Sequence, residues 1–322
     1  MPLDIWIGLL LCNLAWAVNP SIAKRIIQEI GPQHAAWLKY AVALAAYAVV
    51  MAGRRLSSRR AGRRQIALFM PGKPGKDIGA VILIGLATCF VSPMTQMFGL
   101  EASTAVNNSI LVAFEPVFTV VFGWLLLGER LGKSHFLSFF LAIIGFLFIS
   151  DVFATSAAGR QAQAPAVGHG DLILLIAIAG EAVYSVLSRR LTKLYPGPMI
   201  FGTAMLVGVI LLSAVILPWK GFPAWGRLSL TGWLAVGWLG IAGTAIPYLY
   251  WLHALNRSLS LGSVVLSLFL QPLLGALTAV VFLGEPFHAN QLIGGGMIVL
   301  AVTFQILAEN RQAQKRAALV FP

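Results

Sequence analysis

The sequence predicts an all-α polytopic membrane protein whose ten transmembrane helices form two inverted five-helix repeats around a central cavity. Three observations lead to this prediction. Hydrophobic residues make up 58% of the 322 residues and charged residues only 11%, whereas soluble domains carry about 25% charged residues. Several apolar segments are long enough to cross a bilayer core of about 30 Å. One motif occurs twice, with its copies 156 residues apart.

Apolar segments of spanning length follow one another along the whole chain. The predicted helices cover residues 3–23, 33–53, 77–98, 104–127, 134–152, 170–188, 198–218, 230–252, 260–283 and 289–308. The stretch 153–169 is rich in Ala, Gly and Gln and has the composition of a linker. It separates a first repeat, residues 1–152, from a second repeat, residues 170–310, and a basic tail follows at 311–322.

The basic residues indicate the orientation in the membrane. With a cytoplasmic N-terminus, 17 of the 23 Lys and Arg residues lie in cytoplasmic gaps or the tail, 5 lie outside, and Lys39 lies within a span. Lys and Arg are enriched on the cytoplasmic side, so we expect both termini in the cytoplasm and the chain in a bacterial inner membrane. Asp4 and the absence of a basic n-region favour a retained first span over a signal peptide.

The repeated motif is an apolar segment that contains a proline and ends in Gly-Glu. The copies are Glu115–Glu129 and Gln271–Glu285, and in both the Gly follows the proline by twelve positions. We expect each Gly to end its helix and each Glu to accept hydrogen bonds from the N-terminus of the following helix. An odd number of spans in each half forces the second copy to lie upside down. Inverted repeats of this kind are typical of transporters with a site near the midplane.

These segments also resemble a known family. The segment EPVFTVVFGWLLLGERL, which begins at Glu115, and the segment QPLLGALTAVVFLGEP, which begins at Gln271, resemble the end of an EamA domain. Two such domains in one chain resemble the EamA branch of the drug/metabolite transporter superfamily. The resemblance implies a central cavity lined mainly by spans 1, 3, 4, 6, 8 and 9, alternating access, and small-metabolite substrates that are often moved outward. Glu181 and Lys39 depart from the residues usual in that family.

Four prolines within predicted spans are candidates for kinks or hinges. A proline inside a helix removes a backbone hydrogen bond and bends the helix. A fixed kink that lets neighbouring helices pack and a hinge that moves are compatible readings. The four residues are Pro93, Pro116, Pro247 and Pro272.

Three charged residues within predicted spans are candidates for proton or charge coupling. A charge in a span costs about 2.5–3.5 kcal/mol on insertion scales, so its side chain faces protein or water. Glu181, near the middle of span 6, suits proton transfer or amine recognition, and an ion pair with Lys39 is the alternative. Glu115 is also explained as a polar clasp at the broken helix, because its counterpart Gln271 is not ionisable. Lys39 is also explained as a side chain that snorkels to the interface.

Aromatic and polar residues near the centres of spans are candidates for substrate binding. Aromatic rings around a cavity suit planar or apolar substrates and can engage a cation by the π-face, although Trp and Tyr are also common at membrane interfaces. We expect the following residues to bind substrate: Trp16, Asn19, Gln96, Asn108, Glu181, Tyr184, Tyr248 and Trp251.

The predicted function is a secondary transporter, expected to export small organic metabolites such as amino acids, amines or amphipathic compounds. The sequence has no nucleotide-binding motif, and its five histidines are scattered without metal-ligand spacing, so no cofactor or metal is expected. The alternative is an intramembrane enzyme acting on a lipid or isoprenoid. The expected partners are a small-molecule substrate and the lipid bilayer, without nucleic acid, for a monomer or a homodimer.

Overall fold

A computed structural model describes residues 3–60, 67, 69–70, 75–128, 137, 140–141, 143–145, 147–148, 168–257, 268 and 270–320. Within these ranges every regular element is helical. The α-helices are α1 (Leu3–Arg60), α2 (Lys76–Leu86), α3 (Ser92–Ala102), α4 (Ala105–Leu111), α5 (Glu115–Leu127), α6 (His169–Leu191), α7 (Gly197–Lys220), α8 (Leu230–Gly237), α9 (Ile246–Arg257), α10 (Leu270–Leu283) and α11 (Ala289–Val320).

Several of these helices are long and apolar enough to cross a membrane. In the described part of the chain the spanning candidates are five: Ile7–Ser57, Lys76–Ala102, His169–Leu191, Gly197–Lys220 and Leu230–Ala254. A sixth arises if Ala105–Phe114 and Val117–Leu127, which meet at an angle of 46°, form one broken span. The protein is therefore an all-helical polytopic membrane protein. Most of the predicted span 134–152 and of the predicted linker lies outside the described residues.

Helix α1 contains a sharp break that separates two predicted spans. It is 58 residues long, and a straight helix of that length would measure about 87 Å, far more than a bilayer core of about 30 Å. Gly31 interrupts it with φ 79° and ψ 163°, a conformation open almost only to glycine. Ile5 and Met51, from opposite ends of α1, belong to the same buried cluster. The chain therefore turns back on itself at Gly31.

Two π-helical turns interrupt the predicted spans 3 and 8. Residues 87–91 form the turn before α3, and residues 238–245 form the turn before α9. In both cases the proline, Pro93 or Pro247, is the second residue of the helix that follows. Each proline therefore lies within a continuous helical segment, Lys76–Ala102 or Leu230–Ala254, and its missing N–H removes one backbone hydrogen bond from that segment. Single π turns occur frequently at functional sites.

The helices of the two halves pack against one another. Helix α3 packs on α6, α2 packs on α7, and α10 packs on both α1 and α4. Large apolar side chains remain exposed on the outer surface, for example Leu11 and Phe282. Such a surface suits lipid rather than water.

Glycine ends helices α5 and α10, as expected. Gly128 has φ 69° and Gly284 has φ 65°, the left-handed conformation typical of a residue that closes a helix. The expectation for the following Glu is wrong in the second copy. Glu285 accepts hydrogen bonds from the backbone N–H groups of Ala105 (3.1 Å) and Val106 (2.9 Å), at the start of α4, rather than from α11. Glu129 lies outside the described residues.

The reason for this difference is tertiary packing. Helix α10 lies against α4 and α1, so the end of α10 meets the start of α4. There the Glu285 carboxylate also forms an ion pair with Lys24 Nζ at 2.8 Å. One side chain from the second half therefore joins two helices of the first half.

Candidate functional site

A single cavity collects the residues that we expected to bind substrate. Its volume is about 100 Å³, enough for several water molecules at about 10–15 Å³ each. Both halves contribute to its walls, through α1, α3, α4, α5, α6, α9, α10 and the π turn 238–245. All eight expected residues line it: Trp16, Asn19, Gln96, Asn108, Glu181, Tyr184, Tyr248 and Trp251.

The charged candidates line the same cavity. Lys39 and Glu115 stand in its wall with Glu181. Further lining residues come from positions that the sequence reasoning did not propose as site residues: Ala17, Pro20, Ser92, Ser109, Val112, Ala177, Ile178, Ser185, Gly243, Leu268 and Gln271.

Glu181 is held by hydroxyl groups from both halves. Ser92 Oγ donates to Oε1 at 2.7 Å, and the Tyr248 hydroxyl donates to Oε2. Ser92 directly precedes Pro93, and Tyr248 directly follows Pro247. The two π turns and their prolines thus present one donor each to the carboxylate on α6.

The approach of α3 to α6 depends on a glycine. Thr88 Oγ1, in the π turn 87–91, donates to Gly180 O at 2.7 Å. A Cβ on Gly180 would lie 2.6 Å from Ala87 O, closer than packed atoms allow. Gly180 therefore lets α6 approach the turn closely enough for Ser92 to reach Glu181.

Glu115 has fewer partners than Glu181. It begins α5, and its Oε1 accepts from Ser185 Oγ at 3.1 Å. Ser185 lies one turn after Glu181 on α6 and therefore projects from the same side of the helix. Among the described residues no donor forms a hydrogen bond with Glu115 Oε2. This oxygen, in the cavity wall, is therefore available to accept a hydrogen bond from a ligand.

Lys39 does not snorkel to the interface. Its residue surface is 7% exposed, its Nζ donates to Gln96 Oε1 at 3.5 Å, and the same atom lies 5.4 Å from the Tyr40 ring centre. Within the described ranges no carboxylate oxygen lies within 4 Å of Nζ, so Lys39 and Glu181 do not form a direct ion pair. Both simple expectations for Lys39 are wrong, because the cavity offers this cation polar surroundings inside the protein.

Edge-to-face aromatic contacts build one wall. The Trp16 ring centre lies 5.7 Å from that of Tyr248 and 5.6 Å from that of Trp251. Tyr184 meets Tyr248 at 5.0 Å. Contacts of this geometry are worth about 0.5–1.5 kcal/mol beyond simple burial. These contacts stabilise the packing of the four rings against one another in one wall of the cavity.

Two amides in the walls have a polar atom without a partner among the described residues. Asn19 Nδ2 donates to Gly243 O at 2.9 Å, while its Oδ1 has no hydrogen bond within the described ranges. Asn108 is 1% exposed, and its Nδ2 has no hydrogen bond to any described residue either. A buried polar atom without a partner costs about 1–3 kcal/mol. A ligand or water that forms a hydrogen bond with such an atom removes this cost.

Some contributors were missed by sequence reasoning. Asn13 was not proposed, although its Oδ1 accepts from Gln271 Nε2 at 2.7 Å. Ser92 and Ser185 were also not among the predicted site residues, although both line the cavity. Their signal was their position: Ser92 precedes a proline, and Ser185 shares the face of Glu181.

Pro93 and Pro247 lie directly after the π turns, inside the continuous helical segments Lys76–Ala102 and Leu230–Ala254. Pro116 lies in the first turn of α5. Pro272 lies in α10, and residue 269, just before the described part of that helix, is outside the described residues. The 46° bend lies where α5 begins, after a 3₁₀ turn at residues 112–114.

No group of three or more His, Cys, Asp or Glu residues that could hold a metal ion occurs among the described residues. Two other kinds of chemistry remain for the cavity: hydrogen bonding and charge pairing through Glu115, Glu181 and Lys39, and aromatic contact through Trp16.

Comparison with known proteins gives a family. The model of the EamA-like transporter family matches residues 4–151 and 168–307. The uncharacterized transporter YyaM of Bacillus subtilis strain 168 is 22% identical over 304 residues, covering 93% of this chain and 92% of the relative. A protein of Streptantibioticus cattleyicolor named "Probable terminal-alkyne amino-acid exporter" is 26% identical over 231 residues, covering 70% of this chain and 72% of the relative.

A solved crystal structure shows the same fold. It matches with a TM-score of 0.63 and 20% sequence identity, over 97% of this chain and 99% of its own. The relatives are named as transporters and not as enzymes, so the alternative of an intramembrane enzyme falls away. Because the family model covers most of both halves, the chain belongs to the EamA-like transporter family.

Proposed function

We propose that the protein is a secondary transporter that exports a small organic metabolite across the bacterial inner membrane and binds it in the cavity around Trp16, Glu181 and Tyr248. The observation behind the proposal is that one cavity, lined by both halves, contains a lysine, two carboxyl groups and an aromatic wall. Polar groups that converge in an otherwise apolar pocket are typical of small-molecule sites.

Alternating access between two inverted repeats is the proposed mechanism. The pairs of equivalent features support it: a π turn precedes both Pro93 and Pro247, and a left-handed glycine ends both α5 and α10. In transporters built from such repeats, one half rocks against the other around a fixed site. The distribution of Lys and Arg supports cytoplasmic termini.

Amino acids and amines are the proposed substrate class. The cavity walls provide carboxyl groups for an ammonium group and Lys39 for a carboxylate. Trp16 and Tyr248 provide rings against which a side chain can pack. The printed name of the Streptantibioticus cattleyicolor relative, an amino-acid exporter, agrees with this class.

Counterflow in proteoliposomes tests the proposal. Vesicles with purified protein are loaded with unlabelled tryptophan or tryptamine and diluted into the labelled compound. We expect transient accumulation of label in protein-containing vesicles and none in empty vesicles.

Trp16→Ala should reduce this accumulation, because the aromatic wall loses its central ring. Glu101→Gln, at an exposed position on α3 outside the cavity, serves as the control. Absence of counterflow for every amino acid and amine would exclude this substrate class.

A further inference from the structure

The formal charges of the ionisable groups in the cavity do not sum to zero. Lys39, Glu115 and Glu181 line it, and in their ordinary forms at neutral pH they contribute one positive and two negative charges. The other titratable groups around them are Tyr40, Cys89, Tyr184 and Tyr248, which are neutral in their ordinary forms. An uncompensated charge is costly in such surroundings. The cavity therefore requires one further positive charge.

The position of Lys39 decides which carboxylate it compensates. Gln96, which accepts from Lys39 Nζ, lies one turn after Ser92, which donates to Glu181. Residues four apart project from the same face of a helix. Helix α3 therefore brings Lys39 to the side of Glu181, where the two charges act on one another. Among the residues that the structure describes, Glu115 has no such cation.

The hydrogen bonds of Glu115 and Glu181 also indicate that Glu115 is the carboxyl group available to a ligand. Both oxygens of Glu181 already accept from hydroxyl groups, those of Ser92 and Tyr248. Glu115 accepts from Ser185 alone among the described residues, through Oε1. A ligand can therefore bind to Glu115 Oε2 without displacing an existing hydrogen bond, whereas binding to Glu181 would require one to break.

We propose that Glu115 is the exchange site of the cavity: it holds a proton when the cavity is empty and binds the ammonium group of an organic amine when the cavity is occupied. Binding then breaks the O–H bond of the Glu115 carboxyl group, and the proton leaves to solvent as the ammonium group forms an ion pair with the carboxylate. Glu181, bound by two hydroxyl groups and compensated by Lys39, is the fixed anion. This inference rests on the proposed transporter function and specifies its coupling.

A second observation indicates that a ligand belongs in this place. Asn19 and Asn108 are both more than nine-tenths buried. In the described part of the chain the Asn19 amide oxygen, an acceptor, and the Asn108 amide nitrogen, a donor, have no partner. Both residues line the cavity with Glu115. A polar ligand beside Glu115 offers hydrogen bonds to both.

The test counts protons released on binding. Purified protein is titrated calorimetrically with tryptamine, in two buffers of different ionisation enthalpy, and indole-3-propionate serves as the matched ligand without an amine. We expect the wild type and Glu101→Gln to release one proton for each tryptamine bound. Glu115→Gln should release none and bind tryptamine about 10- to 100-fold more weakly, the effect of a lost charge-assisted hydrogen bond.

Two further variants test the charge balance itself. Glu181→Gln leaves Lys39 and Glu115 to neutralise one another, so tryptamine should bind more weakly than to the wild type and without proton release. Adding Lys39→Gln to Glu181→Gln leaves Glu115 as the sole charge, and proton release should return. These two variants decide the question even if Glu115→Gln does not fold.

The outcomes separate this inference from the proposed function. Binding without proton release in the wild type, or unchanged binding and release in Glu115→Gln, overturns the exchange site. Failure of every amine to bind also overturns the exchange site. Tryptamine counterflow without proton release overturns only this inference, whereas proton-releasing binding without counterflow overturns only the transporter proposal for this ligand.

Discussion

Replacement of Glu285 tests whether the second half stabilises the first through one side chain. The Glu285 carboxylate accepts from Lys24 Nζ at 2.8 Å and from the N–H groups of Ala105 and Val106. The next two N–H groups of α4 are satisfied by Thr104, through its side chain at 2.9 Å and its backbone carbonyl at 3.1 Å. Glu285 therefore satisfies two of the N–H groups that the start of a helix leaves without internal partners, and the Thr104 side chain satisfies a third.

The structure gives the size of the expected effect. Hydrogen bonds to charged groups contribute about 1.5–3 kcal/mol each, and a negative charge at a helix N-terminus about 0.3–1 kcal/mol. The Lys24 and Glu285 side chains are 23% and 12% exposed, so water replaces part of what is lost. We expect Glu285→Ala to lower the free energy of unfolding by about 2–4 kcal/mol. Glu285→Gln should lose roughly half as much, because its amide oxygen still accepts from an N–H group.

Unfolding in mixed micelles by added SDS, followed by tryptophan fluorescence, measures the change. Glu101→Ala is the matched control, since Glu101 is exposed and should change stability by less than about 0.5 kcal/mol. A double-mutant cycle with Lys24→Ala should give a coupling energy of about 0.5–1 kcal/mol for the ion pair alone. A loss for Glu285→Ala no larger than that for Glu101→Ala would refute the reasoning, because the two N–H groups of α4 would then not depend on this carboxylate.

Two glycine substitutions give further predictions. Gly284→Ala should lower the free energy of unfolding by about 1–2 kcal/mol, because φ is 65° and L-residues disfavour that conformation; in the same SDS titration, Gly79→Ala, in open space on α2, should be neutral or stabilising, and equal effects would contradict the assignment. Gly180→Ala should both destabilise the protein and reduce counterflow, because the added Cβ would lie 2.6 Å from Ala87 O and push α3 away from Glu181. Full counterflow in this variant would show that transport does not need the hydrogen bond from Ser92 to Glu181.

The membrane architecture and much of the cavity wall were predictable from sequence for one physical reason. A polar group in an apolar helix must face protein or water, so Glu181, Asn108 and Gln96 had to lie inside. The twofold motif indicated that both halves contribute. Local pattern was therefore sufficient to name residues that line one cavity.

Long-range pairing was not predictable in this way. Glu285 caps a helix that begins 180 residues earlier in the chain, and nothing in the sequence near Glu285 indicates that partner. Lys39 was expected to reach the interface or to form an ion pair, because the cavity lining that the family resemblance implies does not include span 2, in which Lys39 lies. The π turns were likewise unexpected, since the prolines that follow them suggested only a kink.

A π turn is a place where a helix can change its register without any change in the connecting loops. A π turn accommodates one residue more than the α-helix around it, and one residue corresponds to about 100° of rotation. If the extra residue migrates along its helix, the segment it passes rotates by that angle relative to the segments on either side. In the first half this displacement would affect Ser92 and Gln96, which bind Glu181 and Lys39. A bulge that travels along a helix is thus a means of exchanging the hydrogen-bond partners of a buried charge while the ends of that helix stay in place.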